Sequence, residues 1–227
     1  MERKHYKEGK VLKKTSPPTN ELRLTEIFYS LQGETRLVGW PTVFIRLTGC
    51  PLRCQYCDTT YAFSGGKRQS VESILETVKT YQTRHVTVTG GEPLAQPNCL
   101  NLLSALCDLN YVVSLETSGA MDIAKVDPRV IKIVDIKTPG SLEMHRNLWT
   151  NLDWILPTDE FKFVICHRED YEWSRSQVLE KKLAEKATVL FSPSATELPA
   201  KILADWILAD QLPVRFQLQL HKILGVS

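Results

Sequence analysis

The chain has 227 residues, 43% apolar and 24% charged, ordinary globular proportions with enough apolar material for a sizeable core. Twenty-eight Lys and Arg against 26 Asp and Glu give a formal charge of +2, which excludes a chain built around a broad basic face for nucleic acid. Six cysteines are too few for a disulfide scaffold at this length, and three of them, Cys50, Cys54 and Cys57, fall within eight residues.

Residues 1–20 hold six basic residues against two acidic ones, about +4, so the remaining 207 carry about −2. This segment lacks the apolar stretch of a secretory signal and is expected to be a basic, flexible extension ending in Ser16-Pro17-Pro18-Thr19-Asn20. No run of 18 apolar residues predicts a transmembrane helix, and a cytoplasmic, reducing setting without membrane contact is expected.

Val43–Leu47 reads as a strand, and Ser70–Gln82 as a helix with Val71, Ile74, Leu75 and Val78 on one face and Ser70 as its N-cap. His85–Thr89 is a second strand and Asn98–Asn110 a second helix, with Leu102, Leu103 and Leu106 apolar. Further strands are predicted at Tyr111–Leu115, Val130–Ile136, Phe161–Ile165, Thr188–Phe191 and Val214–Leu220, with helices at Asp170–Lys186 and Glu197–Gln211. Alternation of this kind implies parallel strands with helical crossovers. A complete eightfold barrel takes about 250 residues. Two connections are also deficient: Gly119–Arg129 is interrupted by Asp127-Pro128, and Thr138–Pro157 has only a weak helical pattern. The expected fold is therefore α/β, an incomplete TIM-like barrel over residues 21–227, open on one side with reduced helices. A doubly wound open sheet is the alternative, because periodicity alone does not close a barrel. No internal repeat or second domain boundary is visible.

Directly after the Val43–Leu47 strand comes Gly49-Cys50-Pro51-Leu52-Arg53-Cys54-Gln55-Tyr56-Cys57-Asp58-Thr59. Three thiolates on one tight loop suit three corners of a [4Fe-4S] cluster, and three ligands leave one iron open for chemistry. A zinc site would want a fourth Cys or His nearby, and the nearest, His85 and Cys99, lie on other elements. The second strand runs into Thr89-Gly90-Gly91-Glu92-Pro93, where glycines permit close backbone approach and a carboxylate suits an ammonium.

The C-x3-C-x2-C spacing, the aromatic Tyr56 before its last Cys, and the Gly-Gly-Glu-Pro motif resemble the radical S-adenosylmethionine superfamily. Phe28-Tyr29-Ser30-Leu31-Gln32-Gly33-Glu34, Gly39-Trp40-Pro41-Thr42-Val43-Phe44-Ile45-Arg46-Leu47 and Cys57-Asp58-Thr59 narrow the resemblance to the 7-carboxy-7-deazaguanine synthase family, from about Leu24 onward. That resemblance implies ring contraction of 6-carboxy-5,6,7,8-tetrahydropterin with loss of ammonia, on the route to queuosine in tRNA. It implies a [4Fe-4S] cluster on Cys50, Cys54 and Cys57, S-adenosylmethionine as cofactor, and Mg²⁺ on Thr59. It also implies a homodimer and an external flavodoxin- or ferredoxin-like electron donor.

The cofactor contacts it implies are Tyr56, Cys57, Asp58, Gly90, Gly91, Glu92, Ser118, Asp135, Ile136, Lys137, Ser192, Pro193 and Ser194. The implied substrate contacts are Leu31, Gln32, Gly33, Arg46, Thr89, Glu116, Gln219 and His221, while Glu34 either joins them or caps a turn. Arg46 suits a bidentate grip on the pterin carboxylate, and Glu116 suits its guanidine-like N–H edge. Gln219 and His221 match a late Q-x-H-K motif expected to close the substrate site. Two departures stand out. Asp135-Ile136-Lys137 stands where some family members carry Ser-Pro-Lys, keeping the Lys, and Ser192-Pro193 stands where Gln-Pro is common, so the departures fall on the contacts of Asp135, Ile136 and Ser192. The competing readings are a radical activase that acts on a protein glycyl residue, favoured less by the motifs around Gln32, Arg46 and Thr59, and a non-catalytic metal-binding scaffold.

Overall fold

A computed structural model of the chain describes residues 20–226, so the extension expected over residues 1–20 lies, apart from Asn20, outside the described residues. The strands are β1 (Glu21–Leu31), β2 (Pro41–Leu47), β3 (Lys67–Ser70), β4 (His85–Gly90), β5 (Val112–Thr117), β6 (Ile131–Ile136), β7 (Glu160–Ile165), β8 (Thr188–Pro193) and β9 (Arg215–Phe216). They form one sheet in the order β3-β1-β2-β4-β5-β6-β7-β8-β9. The first two pairings are antiparallel and every pairing from β2 to β9 is parallel. Among the described residues β3 and β9 do not pair with each other, so the barrel is incomplete, as expected.

The helices are α1 (Val71–Lys79), α2 (Cys99–Asp108), α3 (Arg168–Glu180), α4 (Leu183–Lys186), α5 (Ala200–Ala209) and α6 (Leu220–Leu224). Ser70 caps α1, its Oγ accepting from the Ser73 amide at 3.2 Å, an interaction typically worth ~1 kcal/mol. No helix of the described residues is long and apolar enough to cross a membrane. Residues 119–129 form no helix, and residues 138–157 hold only short 3₁₀ turns, so the two deficient connections are indeed where helices are missing.

Period-two alternation divides the parallel strands into two faces. Val86, Val88, Val113, Leu115, Val134, Ile136, Phe161, Phe163, Val189 and Phe191 pack outward against the helices in one core. The register aligns their neighbours on the inner face: Phe44 with Thr87 and Ser114, Arg46 with Thr89, Glu116 with Ile133 and Glu160, and Asp135 with Lys162 and Leu190. The segment after β1 crosses this inner face. Gln32 donates to Thr87 at 3.2 Å, the Arg36 amide to Glu160 at 3.1 Å, and Arg215 to the Thr35 carbonyl at 3.2 Å.

Four elements differ from expectation, one of them β3, which has no counterpart among the predicted strands. β1 was not predicted; a register shift between Leu24 and Glu26 breaks the alternation that would have announced it. The cysteine loop therefore follows the second strand of the sheet and the first of the parallel set. The helix predicted over Asp170–Lys186 breaks at Lys182, whose φ of +51° separates α3 from α4. The last predicted strand shrinks to Arg215–Phe216. Its chain turns away from the sheet, and the Leu220 amide bonds the Gly33 carbonyl at 2.9 Å, starting α6 beside the segment after β1.

Candidate functional site

The carboxyl ends of the parallel strands carry the loops that face the site, the end where α/β barrels assemble their chemistry. The cysteine loop leaves β2 there and is tied to the end of β4 by backbone bonds. The Gly91 amide donates to the Leu47 carbonyl at 3.1 Å, and the Glu92 amide to the Gly49 carbonyl at 2.8 Å. A Cβ at Gly91 would lie 2.4 Å from the Gly49 carbonyl oxygen, so the glycine pair lets the strand end pack directly under the cysteine loop.

Cys50, Cys54 and Cys57 are half-buried, unpaired as disulfides, and line one cavity of about 200 Å³. Among the described residues no three His, Cys, Asp or Glu groups are drawn together for a single ion. A lone zinc needs its ligands converging on one point, whereas a cubane cluster spreads them over the corners of a larger body. Burial raises the Cys50 and Cys54 thiols, Cys54 to about 11, with Lys137 acting in the opposite direction. A bound metal would supply the thiolate character that burial opposes. The Leu52 amide already donates to the Cys50 sulfur at 3.4 Å.

Tyr56, Asp58, Thr59, Gly90, Gly91, Ser118, Asp135, Lys137, Ser192, Pro193 and Ser194 line the same cavity. Lys137 pairs with Asp135 at 3.0 Å; burial opposes its charge, but Asp135 and its other acidic neighbours raise its pKa overall. The Tyr56 hydroxyl is buried and has no hydrogen-bond partner among the described residues, an orphaned polar atom that a bound cofactor can satisfy. These residues fit S-adenosylmethionine beside a cluster. Thr59 donates to Asp58 Oδ1 at 2.9 Å, and Lys222 donates to Asp58 Oδ2 at 2.6 Å. Hydroxyl and carboxylate oxygens on the cavity wall fit a hard cation.

A second cavity adjoins the first and shares Glu34, Asp58, Thr59, Thr89, Gly90, Glu116, Lys162, Gln219 and Lys222 with it. Leu31, Gln32, Arg46 and His221 complete its polar and apolar lining, with Phe28, Phe44 and Tyr61. Arg46 donates from Nε to Glu26 at 2.8 Å and lies 5.4 Å from the Phe28 ring centroid and 5.8 Å from that of Tyr61. Tyr61 also donates to the same Glu26 oxygen at 2.9 Å. The guanidinium is thus held by Nε, leaving the Nη pair for an incoming carboxylate. Glu116 accepts from Thr89 at 2.9 Å and from Gln32 at 3.4 Å, and its pKa is raised by burial and by the charge of Glu34. Burial holds the His221 imidazole below its ordinary pKa, which favours its neutral form.

Three predicted contacts lie elsewhere. The Glu92 carboxylate is fully buried and already satisfied by the Leu94 amide at 2.9 Å, Thr117 at 3.0 Å and the Ser118 amide at 2.7 Å. It clamps the ends of β4 and β5 together and does not line the cavity. Gly33 is likewise absent from the lining; a Cβ there would lie 1.9 Å from His221 Nδ1, so it makes room for α6. The Ile136 side chain points outward into the core, because its parity on β6 is opposite to that of Asp135.

Sequence reasoning missed Lys162, Lys222, Glu26 and Tyr61. Lys162 had a signal: a charged residue interrupting Phe161-Lys162-Phe163-Val164-Ile165 must face the side opposite its apolar neighbours. Glu26 and Tyr61 had none, since their meeting at Arg46 depends on the unpredicted β1.

Residues 44–135 match the Radical SAM superfamily. A curated relative from Chlorobaculum tepidum, named 7-carboxy-7-deazaguanine synthase, is 45% identical over 206 residues that span 89% of this chain and 94% of the relative. One of the same name from Koribacter versatilis is 41% identical over 218 residues, spanning 89% and 96%. Among solved structures, QueE from Escherichia coli aligns with a TM-score of 0.71 at 24% identity over 88% of this chain and 95% of that one. Streptococcus suis SuiB bound to S-adenosylmethionine aligns with a TM-score of 0.52 at 14% identity over 75% and 45%. These two likenesses carry the fold.

Proposed function

The chain belongs to the 7-carboxy-7-deazaguanine synthase family of the Radical SAM superfamily, and from that membership we propose the reaction and the part each residue plays in it. The enzyme is a carbon–nitrogen lyase that contracts the ring of 6-carboxy-5,6,7,8-tetrahydropterin to 7-carboxy-7-deazaguanine and releases ammonia, a step toward queuosine. The observation that carries this reading is the junction of two cavities, one with three cysteine thiols and the other with Arg46 and Glu116, on one shared wall.

Cys50, Cys54 and Cys57 would hold a [4Fe-4S] cluster, which together with S-adenosylmethionine would supply radical chemistry to the adjoining cavity. Tyr56, Asp58, Gly91, Ser118, Asp135, Lys137 and Ser192 to Ser194 face the cofactor. Arg46 grips the pterin carboxylate through its Nη pair, fixing the orientation of the ring carbon that carries it. Glu116 accepts from the amino and ring N–H groups at the opposite edge, with Gln32 beside it. Gln219 and His221 close the cavity from α6. Thr59 offers its hydroxyl to Mg²⁺, which needs few protein oxygens. The working enzyme is a homodimer in a reducing compartment and draws its electron from a small external flavin or iron–sulfur protein.

The test is anaerobic reconstitution with iron and sulfide, followed by incubation with the pterin, S-adenosylmethionine, Mg²⁺ and a chemical reductant. Formation of 7-carboxy-7-deazaguanine with one ammonia per turnover supports the reading. A protein that binds about four irons per chain yet releases neither product rules it out. Thr59→Ala should lose most of the Mg²⁺ stimulation, and sedimentation of the reconstituted protein reports the dimer.

A further inference from the structure

Lys162 occupies an inner-face position at the middle of β7, its side chain only 12% exposed, and it lines both cavities. Its ammonium donates to Glu34 Oε2. The second oxygen of Glu34, Oε1, is buried without a hydrogen-bond partner among the described residues, although the side chain lines both cavities. Around this pair stand Glu116 on β5, Asp135 on β6, Arg46 on β2, and His221 and Lys222 on α6.

The charges are unevenly shared. Among the described residues around the pair, Glu26 engages Arg46 and Asp58 engages Lys222, while Lys162 pairs directly with Glu34 and its charge also reaches Glu116. A buried carboxyl without a nearby cation takes up a proton and becomes partly a donor. The amino and ring N–H edge of a reduced pterin offers donors and requires acceptors.

We propose that Lys162 is a positioning residue that fixes Glu34 through Oε2 so that its free Oε1 accepts from the N–H edge of the heterocycle alongside Glu116. It acts through Glu34 and itself makes no bond to the substrate. This inference rests on the pterin reading of the second cavity.

Its test compares reconstituted wild-type protein with Lys162→Met, Lys162→Arg, Glu34→Gln and the Glu34→Gln/Lys162→Met pair. Pterin affinity is measured by calorimetry without reductant, and kcat/KM is measured from pH 5 to 9. Lys162→Met should weaken pterin binding by about tenfold, the scale of one charge-assisted hydrogen bond. It should also move the acidic limb of kcat/KM to higher pH, because that limb marks protonation of acceptors that Lys162 keeps ionised. Lys162→Arg should restore affinity to within about threefold, since the charge is retained. The pair should bind the pterin no more weakly than Glu34→Gln alone, because the two residues act as one unit.

Native affinity and an unmoved acidic limb in Lys162→Met overturn the proposal. So does weaker pterin binding by the pair than by Glu34→Gln alone, a comparison that decides the matter even if Lys162→Met alone does not fold. Wild-type protein that neither binds nor converts the pterin overturns the pterin reading itself, a distinct failure.

Discussion

Glu92→Gln separates two roles that Gly90-Gly91-Glu92-Pro93 leaves open in sequence, holding a cofactor ammonium or holding the fold. The carboxylate is fully buried and accepts from the Leu94 amide, the Ser118 amide and the Thr117 hydroxyl. Glutamine keeps the volume but converts one oxygen into an NH₂ group, which then faces a backbone N–H. One charge-assisted bond is lost, ~1.5–3 kcal/mol, and a buried amide is left unsatisfied, ~1–3 kcal/mol. A total near 3 kcal/mol is expected, which for a chain of this size lowers Tm by roughly 6–12 °C. Calorimetric melting of the reconstituted protein gives this shift, and titration with S-adenosylmethionine gives the affinity in parallel. A normal Tm with S-adenosylmethionine binding abolished would refute the structural role and return Glu92 to the cofactor.

Replacing any one of Cys50, Cys54 or Cys57 with Ala should abolish turnover and strip bound iron; retained turnover at full iron content counts against the cluster site. Gly33→Ala places a methyl where His221 Nδ1 lies 1.9 Å away, so α6 must shift. The pterin KM should rise by roughly tenfold, as displacement of a closing element does, with iron content unchanged; an unaltered KM shows that α6 does not close the site. Glu26→Ala releases Arg46 Nε from a pair whose carboxylate side is 39% exposed. The expected loss is therefore modest, about 1 kcal/mol or roughly fivefold in KM with kcat preserved, and a fall in kcat instead would mean that Glu26 touches the reaction.

The cluster loop was legible because its chemistry is local: three thiols on eight residues need no tertiary information. The parallel sheet was legible for a related reason, since the strands place mostly apolar residues, Val, Leu, Ile and Phe, at alternate positions on their helix-facing side. What escaped depends on contacts between distant residues. Arg46 could be read as a cation on the strand entering the loop, but its partner Glu26 sits on β1, whose bulge hides it. Lys162 and Glu34 are 128 residues apart and share no motif. Glu92 shows the same limit from the other direction. A motif residue beside a site looks like a ligand in sequence, and only the positions of the Leu94 and Ser118 amides reveal that its acceptors are occupied.

The two faces of the parallel strands give neighbouring residues opposite duties: Phe161 and Phe163 belong to the core, while Lys162 between them serves the cavity. Inserting or deleting a single residue inside such a strand would exchange the two sets, sending Lys162, Glu116 or Asp135 into oil and valines into the cavity. Length changes in this chain are therefore expected to be confined to the connections, such as residues 119–129 and 138–157. Within the strands, substitution at the inner positions is the route by which a related chain can acquire a different substrate without loosening its core.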